Sequence, residues 1–71
     1  NSIAPGPVHT DMFHTAVPDQ QARQKLADET PMRRVGEPQD VAHLAVYFLA
    51  DESSWCTGQT FSLDGGLSIL K

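Results

Sequence analysis

Residues 38–50, PQDVAHLAVYFLA, constrain this chain more than any other stretch. Val41, Leu44, Ala45, Phe48 and Leu49 recur at the spacing of one helical face. Ala42, Val46 and Tyr47 then place apolar surface on the other sides. A helix apolar nearly all round is normally covered on more than one side. The chain has 71 residues, and a chain of about that size buries only about 60% of its unfolded surface. The helix therefore predicts cover from further sequence or from a second subunit. No covalent staple offsets the small core. Cys56 is the sole cysteine, so no internal disulfide forms, and no Cys/His set has zinc spacing.

Charge and hydropathy exclude several classes. Five Lys and Arg stand against nine Asp and Glu, a formal net charge of −4, with no basic stripe. Binding to nucleic-acid phosphates is not expected from such a balance. No apolar run approaches the roughly 20 residues of a membrane-spanning helix, and no signal peptide opens the chain. The apolar content of 39%, with glycine added, is that of an ordinary globular protein rather than a disordered one. A lone cysteine suits a reducing compartment, and a cytoplasmic location is expected. The start at Asn1, running directly into apolar sequence, reads as a piece of something larger.

Punctuation orders the rest. Residues 1–10 start as an extended run and break at Pro5-Gly6-Pro7, where neither a helix nor a central strand continues. Residues 11–17 are apolar enough to pack but show no clear period. Pro18 predicts the opening of a short helix, with Asp19 and Gln20 in its first turn. Asp19 and Arg23, four apart, are expected to pair. The apolar face of this helix is thin, mainly Ala22 and Leu26, and Thr30-Pro31 ends it. Gly36 and Pro38 mark the start of the strong helix, and Asp51 to Ser54 end it. Residues 59–64 predict a short strand with Phe61 and Leu63 on one face and Thr60 and Ser62 on the other. Gly65-Gly66 stops it, and residues 67–71 form an apolar tail ending in one charge. Helix between strands predicts a parallel crossover and an α/β protein. Two strands leave an open edge and an uncovered face, an arrangement unstable alone.

Four stretches, in order, carry a resemblance. Asn1-Ser2-Ile3-Ala4-Pro5-Gly6-Pro7-Val8-His9-Thr10 is the first. Pro31-Met32-Arg33-Arg34-Val35-Gly36-Glu37-Pro38-Gln39-Asp40-Val41-Ala42 is the second, and Phe48-Leu49-Ala50 with Thr57-Gly58-Gln59 continues it. Leu63-Asp64-Gly65-Gly66 closes the series. Together they resemble the C-terminal third of the short-chain dehydrogenase/reductase family. The link from Ala50 to Thr57 is a residue shorter than that pattern. The resemblance implies the C-terminal part of a Rossmann-like doubly wound parallel sheet: the end of the sixth strand, the substrate lid, the last helix and the seventh strand. It divides the chain into a strand end and cofactor loop (residues 1–10), a lid (residues 11–37) and an interface helix with the last strand (residues 38–71). The glycine-rich first turn, the Asn-Asn-Ala-Gly stretch and the Tyr-x-x-x-Lys pair are absent; Tyr47 is followed at +4 by Asp51. No catalytic residue is assigned here, and the chain alone is expected to be inactive.

In open α/β sheets ligands bind beyond the carboxyl ends of strands, which places the Pro5–Thr10 loop at such an end. Pro5 ends the strand, Gly6 allows close approach of backbone to a flat ring, and Val8 is the first free backbone donor after Pro7. A plain Pro-Gly turn without a ligand is the alternative that these residues leave open. The resemblance implies that Pro5, Gly6, Val8 and Thr10 bind the cofactor, NAD or NADP. Val8 would then bond the nicotinamide carboxamide through its main chain, and Thr10 would contact the carboxamide or a phosphate. It also implies that Met12, Phe13 and Val17 belong to a substrate lid, against the alternative of a surface loop in which Phe13 simply packs.

The remaining candidates carry less. His9, Asp11 and His14 do not have the spacing of a metal site, and no metal is expected. His43 is expected at a polar edge or interface, Arg34 in an ion pair or on a carbonyl, and Cys56 as a small packed residue. The function implied is hydride transfer between a nicotinamide cofactor and an alcohol or ketone carbon. The partners implied are a small alcohol or ketone and a second copy of the chain, as a dimer or tetramer, through residues 38–50 and 59–64. The alternative is a non-catalytic fragment or self-association module that keeps only that helix and strand.

Overall fold

Two short strands at opposite ends of the sequence pair in parallel. The computed structural model describes residues 1–70. Strand β1 (Ser2–Pro5) lies beside β2 (Thr60–Leu63), with Ile3 opposite Phe61 and Pro5 opposite Leu63. Backbone bonds from Ser2 to Gln59 (2.8 Å) and from Gly6 to Leu63 (2.9 Å) close the ladder at both ends. Asn1 pins the entry: its side chain accepts from the Gln59 N–H at 3.0 Å and donates to the Cys56 carbonyl at 3.1 Å. The expected parallel crossover is present.

Three helices fill the crossover: α1 (Asp11–Ala16), α2 (Gln20–Glu29) and α3 (Pro38–Leu49). Helix α1 lies where no period was legible. Thr10 starts it, its hydroxyl accepting from the Phe13 N–H at 3.1 Å. Helix α2 begins later than Pro18. Asp19 is its cap, accepting from the Gln21 N–H at 3.0 Å. With its carboxylate engaged there, Asp19 does not pair with Arg23. The Arg23 guanidinium instead donates to the carbonyls of Val17 (2.8 Å) and Pro18 (3.2 Å), satisfying the end of α1. The stop at Thr30 holds, and Thr30 is buried, its hydroxyl donating to the Leu26 carbonyl at 2.9 Å.

Helix α3 has Pro38 in its first turn and Asp40 folding back to accept from the Glu37 N–H at 2.8 Å. Ser53 closes its far end. This buried hydroxyl donates to the carbonyls of Phe48 (3.0 Å) and Ala50 (2.9 Å) inside a 3₁₀ turn, Asp51–Ser53. Val41, Leu44, Ala45 and Phe48 are half-buried, and the Phe48 ring meets Phe61 of β2 edge-on. Leu49, expected on that face, is instead 88% exposed. Among the described residues only Ala27, Val35, Thr30 and Ser53 are buried, and no large side chain is fully enclosed. Trp55, Leu49, Ile69 and Val46 all stand in solvent. The scarcity of cover read from the helix pattern is thus visible in three dimensions. No helix among the described residues is long and apolar enough to cross a membrane.

Candidate functional site

The loop leaving β1 is held on two sides. Gly6 packs against the end of β2 so closely that a Cβ on it would lie 2.7 Å from Asp64 Cβ and 3.1 Å from Asp64 Cα. A side chain there has no room, so glycine is required by the neighbouring strand end. On the other side the loop forms a parallel bridge between Val8 and Gly36. The Gly36 N–H donates to the Pro7 carbonyl, and the His9 N–H to the Gly36 carbonyl, each at 2.9 Å. Both bonds skip the Val8 amide. Among the described residues the Val8 N–H and carbonyl have no hydrogen-bond partner in the chain. A fixed loop thus carries one uncommitted donor and acceptor at the carboxyl end of a parallel strand.

The other residues singled out from sequence fall into two groups. Pro5 ends β1, and Thr10 caps α1, its hydroxyl accepting from the Phe13 N–H. Phe13 and Val17 are half-buried, whereas Met12 is 82% exposed. Phe13 packs on His9, ring centroids 6.1 Å apart. His9 Nδ1 and His14 Nε2 lie 2.9 Å apart and share a hydrogen bond, which ties the loop to α1. No group of three His, Cys, Asp or Glu side chains converges among the described residues. Sequence reasoning missed the His9–His14 tie, since a separation of five is not a helical spacing; Thr10 followed by Asp11 was the signal for α1.

Electrostatics brace the far side of the loop. Arg34 donates to Asp40 at 2.8 Å, the expected ion pair. That bond, together with the Glu37 N–H, lowers the Asp40 carboxyl from 3.8 to about 2, and raises Arg34 in turn. Asp64 is lowered too, first by the Ser68 hydroxyl and then by the N–H groups of Gly66 and Ser68. Its carboxylate accepts from those amides at 3.0 and 3.1 Å, fixing the turn beside Gly6. Because the folded chain depresses the Asp40 value, its contribution to stability is complete above pH 3.8 and disappears as pH falls toward 2. A carboxyl-carbon NMR titration is expected to place the Asp40 midpoint near pH 2, and Arg34→Gln to return it toward the ordinary carboxylate range. An Asp40 midpoint unmoved by that substitution would contradict the pairing.

Comparison with known proteins gives a single answer. The family described as Enoyl-(Acyl carrier protein) reductase matches residues 1–68. A 2-keto-3-deoxy-L-fuconate dehydrogenase of Xanthomonas campestris is 44% identical over 73 residues, covering 96% of this chain and 24% of its own length. The aldohexose dehydrogenase of Thermoplasma acidophilum superposes with a TM-score of 0.91 at 29% identity, over 97% of this chain and 31% of that one. A 4-hydroxyisoleucine dehydrogenase complexed with NADH superposes with a TM-score of 0.87 at 27% identity, over 100% of this chain and 29% of that one. The chain spans about a quarter of the length of the curated relatives it matches.

Proposed function

The chain belongs to the short-chain dehydrogenase/reductase family, and from that premise we propose that it is the C-terminal segment of an NAD(P)-dependent oxidoreductase. The parent reaction is hydride transfer between a nicotinamide cofactor and an alcohol or ketone carbon. The observation that carries this reading is the uncommitted Val8 amide in a loop braced by Asp64 and Gly36. A carboxamide offers one acceptor and one donor group, and the main chain of Val8 offers the matching pair. The residues present therefore fit a nicotinamide. When bound, it supplies the hydride.

The chain's own part is orientation. Val8 fixes which ring face meets the substrate, and Gly6 and the Gly36 bridge hold Val8 in place. Thr10 contacts the carboxamide or a phosphate while its hydroxyl also caps α1, and Met12, Phe13 and Val17 belong to the substrate lid. Residues 1–10 are the cofactor loop, 11–37 the lid and 38–71 the interface portion. The residues that move protons lie outside this segment, and the segment alone is inactive. A single cysteine and the family's chemistry favour the cytoplasm.

The test compares this chain with the longer gene product that contains it, following NADH and NADPH oxidation with small ketones. Turnover by the longer protein and none by residues 1–71 is expected. Failure of the longer protein to bind either nucleotide would overturn the reading.

Exposure of Val46 (64%), Leu49 (88%) and Phe61 (48%) favours a second role, on a different surface: contact between copies through residues 38–50 and 59–64. Val46→Asp is expected to convert the longer protein from oligomer to monomer in sedimentation. An unchanged oligomer would remove this face from the interface.

A further inference from the structure

All three arginines of this acidic chain, Arg23, Arg33 and Arg34, line one concavity of about 810 Å³ together with His9 and His14. Glu37 and Asp40 are the carboxylates that face it. Arg34 and Asp40 neutralise one another, which leaves two guanidinium charges against one carboxylate. Arg23 commits a single nitrogen to the carbonyls of Val17 and Pro18. The Arg33 guanidinium has no hydrogen-bond or ion-pair partner among the described residues.

The backbone at Arg33 is the second observation. Its φ is +62°, and it is the sole non-glycine residue with positive φ among the described residues. Its N–H closes a turn onto the Thr30 carbonyl at 2.7 Å. Glycine would take that turn without strain. A strained, non-glycine backbone whose unpaired side chain lines an open concavity points to a ligand.

We propose that this concavity receives the oxyanion of a small-molecule substrate, a carboxylate or a phosphate monoester, with Arg33 as its main donor and Arg23 and His9 beside it. The planar guanidinium fork matches either group bidentately. His9 directly follows Val8 and is bonded to Gly36, so the concavity begins one residue from the amide assigned to the carboxamide. The anion's identity as part of a substrate rests on the oxidoreductase reading; the anion site itself does not.

Two measurements separate these. In the first, the longer protein is titrated with inorganic phosphate and with succinate at constant ionic strength, following the arginine Nε–H signals by NMR. A saturable shift at Arg33, absent with sodium chloride, is expected, and the better probe identifies phosphate or carboxylate as the group recognised. In the second, KM is compared for a 3-oxo acid and its methyl ester. The acid is expected to be favoured by about tenfold or more, and Arg33→Gly to bring that ratio close to one without lowering the melting temperature. Loss of the shift in Arg33→Gly completes the expected set. No saturable shift at Arg33, or an acid preference that survives Arg33→Gly, overturns the proposal. A saturable shift with no turnover of either ketone keeps the anion site and strikes the oxidoreductase reading instead.

Discussion

Gly6→Ala is expected to destabilise the protein by about 1–3 kcal/mol and to weaken nicotinamide binding with it. The added methyl would sit 2.7 Å from Asp64 Cβ and 3.1 Å from Asp64 Cα. The backbone atom cannot rotate away. Asp64 is itself held by the amides of Gly66 and Ser68. Relief must come from separating the loop from β2, which breaks the bond from Gly6 to Leu63 and displaces Val8. Gly36→Ala is the contrast: its Cβ would meet Pro7 O and Val8 Cγ2 at 3.5 Å, ordinary contact, and little change is expected. Denaturant unfolding and cofactor titration on both variants of the longer protein read the difference. Equal stabilities would mean that the end of β2 yields, and that Gly6 does not set the loop's position.

Val8→Pro is expected to lower kcat/KM by about 10²-fold while the melting temperature stays near that of the parent. Proline removes one backbone donor. The bonds that hold the loop, from Gly36 to Pro7 and from His9 to Gly36, do not use it. The loss therefore falls on the ligand, whose carboxamide would face an unmatched acceptor and turn. Val8→Ala keeps the amide and should keep most of the activity. Full activity in Val8→Pro would take the Val8 main chain out of the cofactor site.

The parts of the fold legible in advance were those specified by local chemistry. Periodicity in residues 38–50 defined α3, and Pro5-Gly6-Pro7 and Gly65-Gly66 bounded the strands. Thr30-Pro31 ended α2 where the structure ends it, because proline forbids the helical conformation before it. Helix α1 was missed because its stability comes from one cap, Thr10, rather than from a repeating face. The Asp19–Arg23 pair was expected from spacing and does not form, since capping a helix end and satisfying carbonyls claimed both groups.

The candidate site divides in the same way. Sequence alone pointed to the family, through four stretches that resemble it, and to the parallel crossover, through the order of strand, helix and strand; the loop after β1 as a ligand loop was an expectation of the same resemblance. Tertiary structure decided which groups in that loop are spoken for. Gly6 is required by Asp64, 58 positions along the chain; Thr10 also caps α1; Val8 is left over; and the three arginines line one concavity between α2 and the turn at Arg33. Each depends on distances between segments far apart in sequence. No local propensity encodes such distances; they are set when the two strands pair.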